Sequence, residues 1–534
     1  MKRAIILIIC LVISVLAASA CGKKSTVYDV PSALPSATDS SYPESDASPP
    51  VAFRSPTDPT SLLPDELRKI IQDSRRTDYA PASADAVNTV KSYLNVGLDA
   101  NTDAALAAQL EQIKNEAASV DYPDTLSHTQ VQNELDYLFT LLQYGYGAYG
   151  YFGGDKAFGA LKQEMEIALT VMPDPISTSD YQNKLLMPYL HLLIADNHFQ
   201  VFGPSGNNSA GITNCFCTCA NLFFYKSGDE YTTTVDGTAY KLAGHDNSSE
   251  LLPTLDADGK LAYTLGRMMK RGSIGNASVG LTDEQTGQTV TRYFHLNSAP
   301  MDYLDGLSTE LYTKDTIDGI PVVSNRFLYA QTEDQQSQLT DFIATGAELR
   351  NEPVAILDLR NNGGGSDTYA SQWVRGYTGA ELYYPFLYAA RLSETALTIN
   401  SGGGGYTPVG DTMWSDVLHQ TPPKQIPNPN LLIVLTDGMC GSAGDSFVGY
   451  LREVENVIFV GEPTMGCLLS GSVGSTLLPE SKLTLQFGIN LNLPRNLSVF
   501  EGNGFAPDLW MPPGESLERV IKYLLTQSDS ANNG

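Results

Sequence analysis

Positive charge is scarce in this chain. Lys and Arg total 33 against 60 Asp and Glu, giving a formal net charge of −27 and a pI near 4.5. Such a surface repels phosphate backbones, which excludes a nucleic-acid partner; the acidity serves solubility. Long apolar runs are missing beyond the first twenty residues, so no later segment reads as a membrane-spanning helix. The paired-cysteine spacing of a structural metal site is missing too. Cys215, Cys217 and Cys219 alternate along one segment with no second pair and no histidines at ligand spacing, so a buried or partly disulfide-bonded strand is expected there rather than a zinc site. Phosphate loops are likewise absent: no Gly-Lys-Ser/Thr ending and no G-x-G-x-x-G occurs at the glycine runs.

What is present begins at the N-terminus. Lys2 and Arg3 precede an apolar run, Ala4 to Leu16, too short to remain as a spanning helix. Small residues, Ala17 to Ala20, lead to Cys21. That order is the pattern of a lipoprotein signal, residues 1–20, with Cys21 as the lipidated new N-terminus. Ordinary secretory cleavage after Ala20 is the plainer alternative. Lipidation predicts a protein held at the cell membrane on its extracytoplasmic face. Residues 21–60 are rich in Ser, Pro, Asp and Thr and carry too little apolar surface to offset ordering, so a disordered tether is expected.

The rest is too long for one small core, and its patterning predicts an α/β multidomain fold. Over 61–205 apolar residues recur at helical spacing: Leu62, Leu63, Leu67, Ile70 and Ile71, then Leu135, Leu138, Leu141 and Leu142, then Phe158, Leu161, Met165 and Leu169. This predicts an N-terminal helical region. Over 206–305 short β-branched and aromatic runs, such as Phe223 to Tyr225 and Tyr231 to Val235, alternate with Gly, Asp and Asn. A small β-rich domain is expected, either a degenerate PDZ domain or an unrelated insertion. Over 306–525 buried strands alternate with helices: Val354 to Leu359, Gln335 to Leu349, Leu431 to Leu435, Ala443 to Val454 and Val457 to Val460. That succession predicts an α/β core with a mixed sheet and crossover helices.

Two segments of this core carry chemistry. Ser442 follows the strand Leu431 to Leu435 and opens a helix, where free N–H groups and the positive dipole end favour developing negative charge. A serine there is also a favoured N-cap, and Asp445 completes something like a capping box. The second segment, Asp358 to Ser366, puts three glycines after a strand, where backbone N–H groups can approach an oxyanion.

Together these segments resemble the tail-specific (C-terminal processing) peptidase family, which also includes tricorn protease and the repeats of the retinoid-binding protein of the retina. The shared pattern is DLRNNGGG at 358–365, SAGD at 442–445, GEPTMG at 461–466 and GFAPD at 504–508, in the family's order. The resemblance implies an α/β peptidase core and a nucleophile at Ser442. It also exposes a departure: where the processing branch has a lysine base, this chain has Cys467. A tricorn-like arrangement of Ser, His and Glu replaces it in the expected site. His198, in the run Leu193 to Phe199, resembles the family's motif histidine and would be the general base, with His191 close enough to compete. Glu501 sits where tricorn-like members place a glutamate and would orient or polarise the site through hydrogen bonds. Taken alone, His198 reads as a loop histidine and Glu501 as a turn carboxylate.

The implied activity is serine endopeptidase action on peptides or exported proteins through an acyl-enzyme on Ser442, with the oxyanion received by the N–H of Ala443 and of Gly364 or Gly365. No metal or organic cofactor is required. The alternative is an inactive peptidase-fold lipoprotein that binds peptides or serves as a scaffold. A binder of small apolar ligands, in the manner of the retinoid-binding relatives, is a third reading. Cys440 and Cys467 flank the expected site, either as a stiffening disulfide or as two buried thiols.

Overall fold

The computed structural model describes residues 53–533 except 76–79, 117–120, 220–221, 246–249, 401–405, 411 and 421–424. The signal, Cys21 and most of the expected tether lie outside the described residues. The fold is mixed α/β with several sheets. Among the described residues no helix is long and apolar enough to cross a membrane.

The centre is a six-stranded sheet in the order Tyr312–Ile317, Ile320–Asn325, Val354–Asp358, Leu431–Thr436, Val457–Gly461, Leu509–Trp510. Its first pair is antiparallel and the rest is parallel. Every residue of Val354–Asp358, Leu431–Thr436 and Val457–Gly461 is buried, as expected when helices cover both faces. One face carries Glu333–Leu349, Asp367–Thr378 and Ala443–Leu451, which bury Phe342, Trp373 and Phe447 against Leu357, Val434 and Phe459. The other carries the C-terminal helix Pro513–Asn533, with Val520 and Leu524 facing Ile356 and Ile433. The helix Asp65–Arg75 also packs there, through Leu67, and not with the rest of the helical region. Its Arg75 pairs with Asp508 at 2.8 Å, both nearly fully buried.

A second sheet joins Phe386–Ala390, Thr484–Pro494, Gln200–Gly203 and Gly206–Ser209, and Ser470–Leu477 pairs with Thr484–Pro494. This sheet and the helices Ala84–Leu94, Ala100–Glu116, His128–Gly145 and Gly154–Leu169 share one core, in which Leu138, Leu142 and Phe158 meet Phe487, Ile489 and Leu491. The helical region therefore covers one face of this second sheet. Ser127 starts His128–Gly145 by accepting from Gln130 N–H while the Gln130 side chain accepts from Ser127 N–H.

Residues 214–298 form an eight-stranded antiparallel sheet. Phe224 pairs with Tyr263 of Leu261–Lys270, which brings the sheet round upon itself. Cys215, Cys217, Cys219, Leu265, Val279 and Leu281 fill its inside. No helix occurs among the described residues of this unit, so the strand-and-helix groove of a PDZ domain has no counterpart. The three cysteines share one side of the strand as expected, but none is disulfide-bonded; Cys215 and Cys217 Sγ stand 3.9 Å apart.

Candidate active site

Ser442 joins Leu431–Thr436 to Ala443–Leu451 with φ 55° and ψ −120°. A non-glycine residue in that region is strained, and such strain holds only where its surroundings enforce it. Here the N–H of Ser442 donates to Asp445 Oδ2 at 3.0 Å, and Gly441 N–H donates to the Asn362 carbonyl at 2.9 Å. The turn lifts the hydroxyl out of the helix start. Its side-chain partner is His198 Nε2, at 3.1 Å.

The glycine turn 363–365 lies against this elbow. Gly364 has φ 91°, and a Cβ there would meet the Gly441 carbonyl oxygen at 2.6 Å and Ser442 Cβ at 2.8 Å. Only glycine allows that approach. Asn362 ties the turn down: its Nδ2 donates to Asn325 Oδ1 at 2.7 Å, and its Oδ1 accepts from Gly364 N–H at 2.9 Å. This bond corrects one expectation. The N–H of Gly364 is already used, whereas those of Gly365 and Ala443 have no acceptor among the described residues. Of the N–H groups expected to receive an oxyanion, those of Ala443 and Gly365 are therefore the ones left available.

Beneath the turn, Asp358 pairs with Arg360 at 2.8 Å and Arg326 at 2.9 Å. Burial alone would raise its carboxyl, but the two guanidinium groups outweigh burial and hold it down to about 2. Asp437 accepts from Asn361 N–H at 2.9 Å and from the Tyr303 hydroxyl at 2.6 Å; burial pushes this carboxyl up.

His198 arrives from far earlier in the chain. It ends a short turn after Met187–Leu193 and lies two residues before the start of Gln200–Gly203, whose Val201 pairs with Leu485. Strand pairing thus carries the histidine to the serine. Its N–H donates to Asp196 Oδ1 at 2.9 Å, and Asp196 Oδ2 accepts from the buried Tyr146 hydroxyl at 2.7 Å. The ring's Nδ1 faces the Ser470 carbonyl at 2.7 Å. A carbonyl only accepts, so Nδ1 carries the proton and Nε2 offers its lone pair to the Ser442 hydroxyl. Burial holds the imidazole below its ordinary range, against the opposing pull of Asp196 and the Ser470 carbonyl, so the ring is neutral at pH 7. His191 is exposed and has no bond to this cluster.

Glu501 does not touch the imidazole. One oxygen accepts from Asn197 N–H at 2.7 Å; the other accepts from Leu468 and Leu469 N–H at 3.1 and 2.9 Å. It clamps the residue before His198 to the strap that supplies the Ser470 carbonyl. Burial pushes its carboxyl well above the usual range, and the nearby Asp196 charge adds to that. Of the two expected roles, orienting or polarising the site through hydrogen bonds, these bonds fit the first, because the place beside Nδ1 is filled by a backbone carbonyl. That carbonyl leaves no mark in a sequence.

Asp445 does more than cap a helix. It accepts from Ser442, Gly466 and Cys467 N–H at 3.0, 3.1 and 2.9 Å, and burial raises it to about 6. Cys467 lies buried here, where the processing branch has lysine. Burial, with the charges of Glu501 and Asp445, pushes its thiol well above the ordinary value, so it is no base at neutral pH. Cys440 and Cys467 are both free and buried, so the expected disulfide alternative is not formed.

The sequence model of Peptidase family S41 matches residues 325–511. No curated protein matches the chain in sequence. Among solved structures, mature CPAF is 15% identical, with 76% of this chain and 98% of that chain covered and a TM-score of 0.39. The photosystem II D1 C-terminal processing protease is 14% identical over 73% of this chain and 96% of its own, TM-score 0.35. A lipoprotein from Streptococcus agalactiae is 12% identical over 76% and 99%, TM-score 0.33. Overlaps this loose carry no weight for activity.

Proposed function

We propose that this chain, whose residues 325–511 match the model of Peptidase family S41, is a serine-type peptidase with Ser442 as nucleophile and His198 as general base, a lipid-anchored extracytoplasmic endopeptidase. The observation that carries this reading is the 3.1 Å contact between Ser442 Oγ and His198 Nε2, with Nδ1 engaged by the Ser470 carbonyl. It supplies both geometry and tautomer for proton removal.

In the proposed cycle, Ser442 Oγ attacks the peptide carbonyl carbon as its proton passes to His198 Nε2. The oxyanion settles on the N–H groups of Ala443 and Gly365. The imidazolium then gives its proton to the departing amine, leaving an acyl ester on Ser442. A water molecule, deprotonated by the same Nε2, opens the ester and releases the acid. The substrate class is peptides or exported proteins. The membrane anchor rests on the run of small residues before Cys21.

A fluorophosphonate probe tests the active-site reading. Labelling at Ser442 that vanishes in Ser442→Ala supports it. An unlabelled, correctly folded protein sinks it in favour of an inactive binding or scaffolding lipoprotein. Release of the protein from membranes by Cys21→Ala tests the anchor.

A further inference from the structure

Asp196 is fully buried, and both of its carboxylate oxygens accept hydrogen bonds. Oδ1 accepts from the main-chain N–H of His198 at 2.9 Å, and Oδ2 accepts from the Tyr146 hydroxyl at 2.7 Å. The Asp196 carbonyl accepts from Phe199 N–H at 3.1 Å, so turn 196–199 is held by this residue's side chain and main chain together. Asparagine closes such a turn as well as aspartate does. What asparagine lacks is the charge. Among the described residues no Lys or Arg pairs with Asp196.

Tyr146 fixes that carboxylate in place. It ends the helix His128–Gly145, with its N–H donating to the Leu142 carbonyl at 3.0 Å. The next N–H, of Gly147, donates to the Gly488 carbonyl at 2.9 Å and ties the helix end to the strand Thr484–Pro494. The ring is fully buried and meets Phe199 and Phe487 edge to face, with centres 5.4 and 5.7 Å away. Burial and the Asp196 charge hold the hydroxyl protonated, so it donates. The helical region thus reaches the site through one hydrogen bond.

A buried carboxylate held by two donors and no fixed cation is costly until a positive charge forms near it. The ionisable groups that feel Asp196 are Tyr146, His198, Cys467 and Glu501, and of these only His198 can turn positive. Glu501, Cys467 and Asp445, which approach from the strap and from Ala443–Leu451, make no bond to the ring. We propose that Asp196, held by Tyr146, is the acidic partner of His198: a positioning residue that fixes the ring's turn and whose negative charge stabilises the imidazolium formed when Ser442 gives up its proton. This rests on the Ser442/His198 reading above. No proton passes to Asp196. The Ser442 proton stays on Nε2, the Nδ1–H stays on the Ser470 carbonyl, and the carboxylate offsets the new charge across the turn.

Two measurements test it. The first is the pH profile of kcat/KM for the parent, Asp196→Asn and Tyr146→Phe. Asp196→Asn keeps an acceptor for His198 N–H and removes the charge. Its acid limb should move down by about one pH unit, and kcat should fall about tenfold, because the imidazolium loses its counter-charge. Tyr146→Phe keeps the charge, so its acid limb should not move down. A turn that is only structural leaves the limb of Asp196→Asn where it was. Should Asp196→Asn not fold, Asp196→Ser, which also accepts from the His198 N–H, carries the same reading. In the second, the His198 ring is titrated by NMR in Ser442→Ala protein carrying labelled histidine, its signal identified by its loss in His198→Gln. Adding Asp196→Asn should lower the midpoint by about one pH unit. This arm reads the ring even when fluorophosphonate fails to label Ser442, so the two readings fail separately. An acid limb or ring midpoint unmoved by the charge-removing variant overturns the proposal. So does an equal downward move in Tyr146→Phe, or a ring that stays neutral until the Ser442→Ala protein unfolds in acid.

Discussion

The Nδ1–H of His198 donates a hydrogen bond to the backbone carbonyl of Ser470 at 2.7 Å. That bond leaves Nε2 free to take a proton from Ser442, and it does so without a carboxylate beside the ring. The tautomer is set by main-chain geometry, and the carboxylates nearby hold the main chain in place.

Removing either partner should therefore remove the chemistry and little else. Ser442→Ala and His198→Ala are each expected to lower kcat by about ten-thousandfold, as loss of a nucleophile or its base does. Melting temperatures should stay near that of the parent. Steady-state kinetics with a fluorogenic peptide checks the first claim and calorimetry the second. Full activity in His198→Ala would remove the base assignment.

The acid limb of the pH profile follows from the ring's burial. The active form of His198 is neutral, and burial lowers its proton affinity below the ordinary 6.5. Activity should accordingly persist below pH 6.5 and fall only as pH drops through the depressed value, where Nε2 takes up a proton. A half-activity point above 6.5 in kcat/KM would contradict this environment.

Glu501→Gln separates positioning from charge relay. An amide cannot accept from Asn197, Leu468 and Leu469 together, so at least one buried N–H loses its partner, at about 1–3 kcal/mol. Lower stability and a lower kcat are expected, with the acid limb of the profile unmoved because Glu501 does not touch the ring. A large downward move of that limb would point to direct contact with His198.

Cys467 should prove chemically silent. Its thiol is buried and held protonated, so thiol-alkylating reagents should leave native activity intact, and Cys467→Ala should keep kcat within about threefold. Rapid inactivation by iodoacetamide, protected by substrate, would show a thiol doing work at the site.

The Arg75–Asp508 pair predicts a contribution to stability that weakens as pH falls. Burial favours the neutral acid, but Arg75 overrides it and holds Asp508 below its ordinary value of 3.8. A depressed carboxylate contributes stability above its unfolded value and loses it as pH falls through the folded one. Arg75→Met leaves a buried carboxylate unpaired and should cost about 3–5 kcal/mol at pH 7. The deficit should shrink toward pH 4, as Asp508 takes up a proton. Urea unfolding at the two pH values measures it.

Much of this was legible in the residues themselves. Fully apolar runs such as Leu431 to Leu435 announced buried strands covered on both faces, and the four motifs from Asp358 to Asp508 announced the peptidase core in order. Ser442 and Ala443 were readable because their neighbours are close in sequence and the strand-to-helix turn is local. The first helix, Asp65–Arg75, was readable as a helix but not as a cover for the core sheet, since periodicity names a face and not its partner.

The residues by themselves determined the α/β core, the serine at its helix start and the glycine turn beside it, all products of short-range geometry, while the reading of that core as a peptidase came from the resemblance of its four motifs. Only the tertiary structure decided that a strand from residue 200 pairs with one near 485, carrying His198 to Ser442. It alone chose a carbonyl over Glu501 as the ring's partner and left Gly365 free where Gly364 is bonded. Those outcomes depend on backbone atoms common to every residue, brought together by packing between distant segments, and side-chain identity does not encode them.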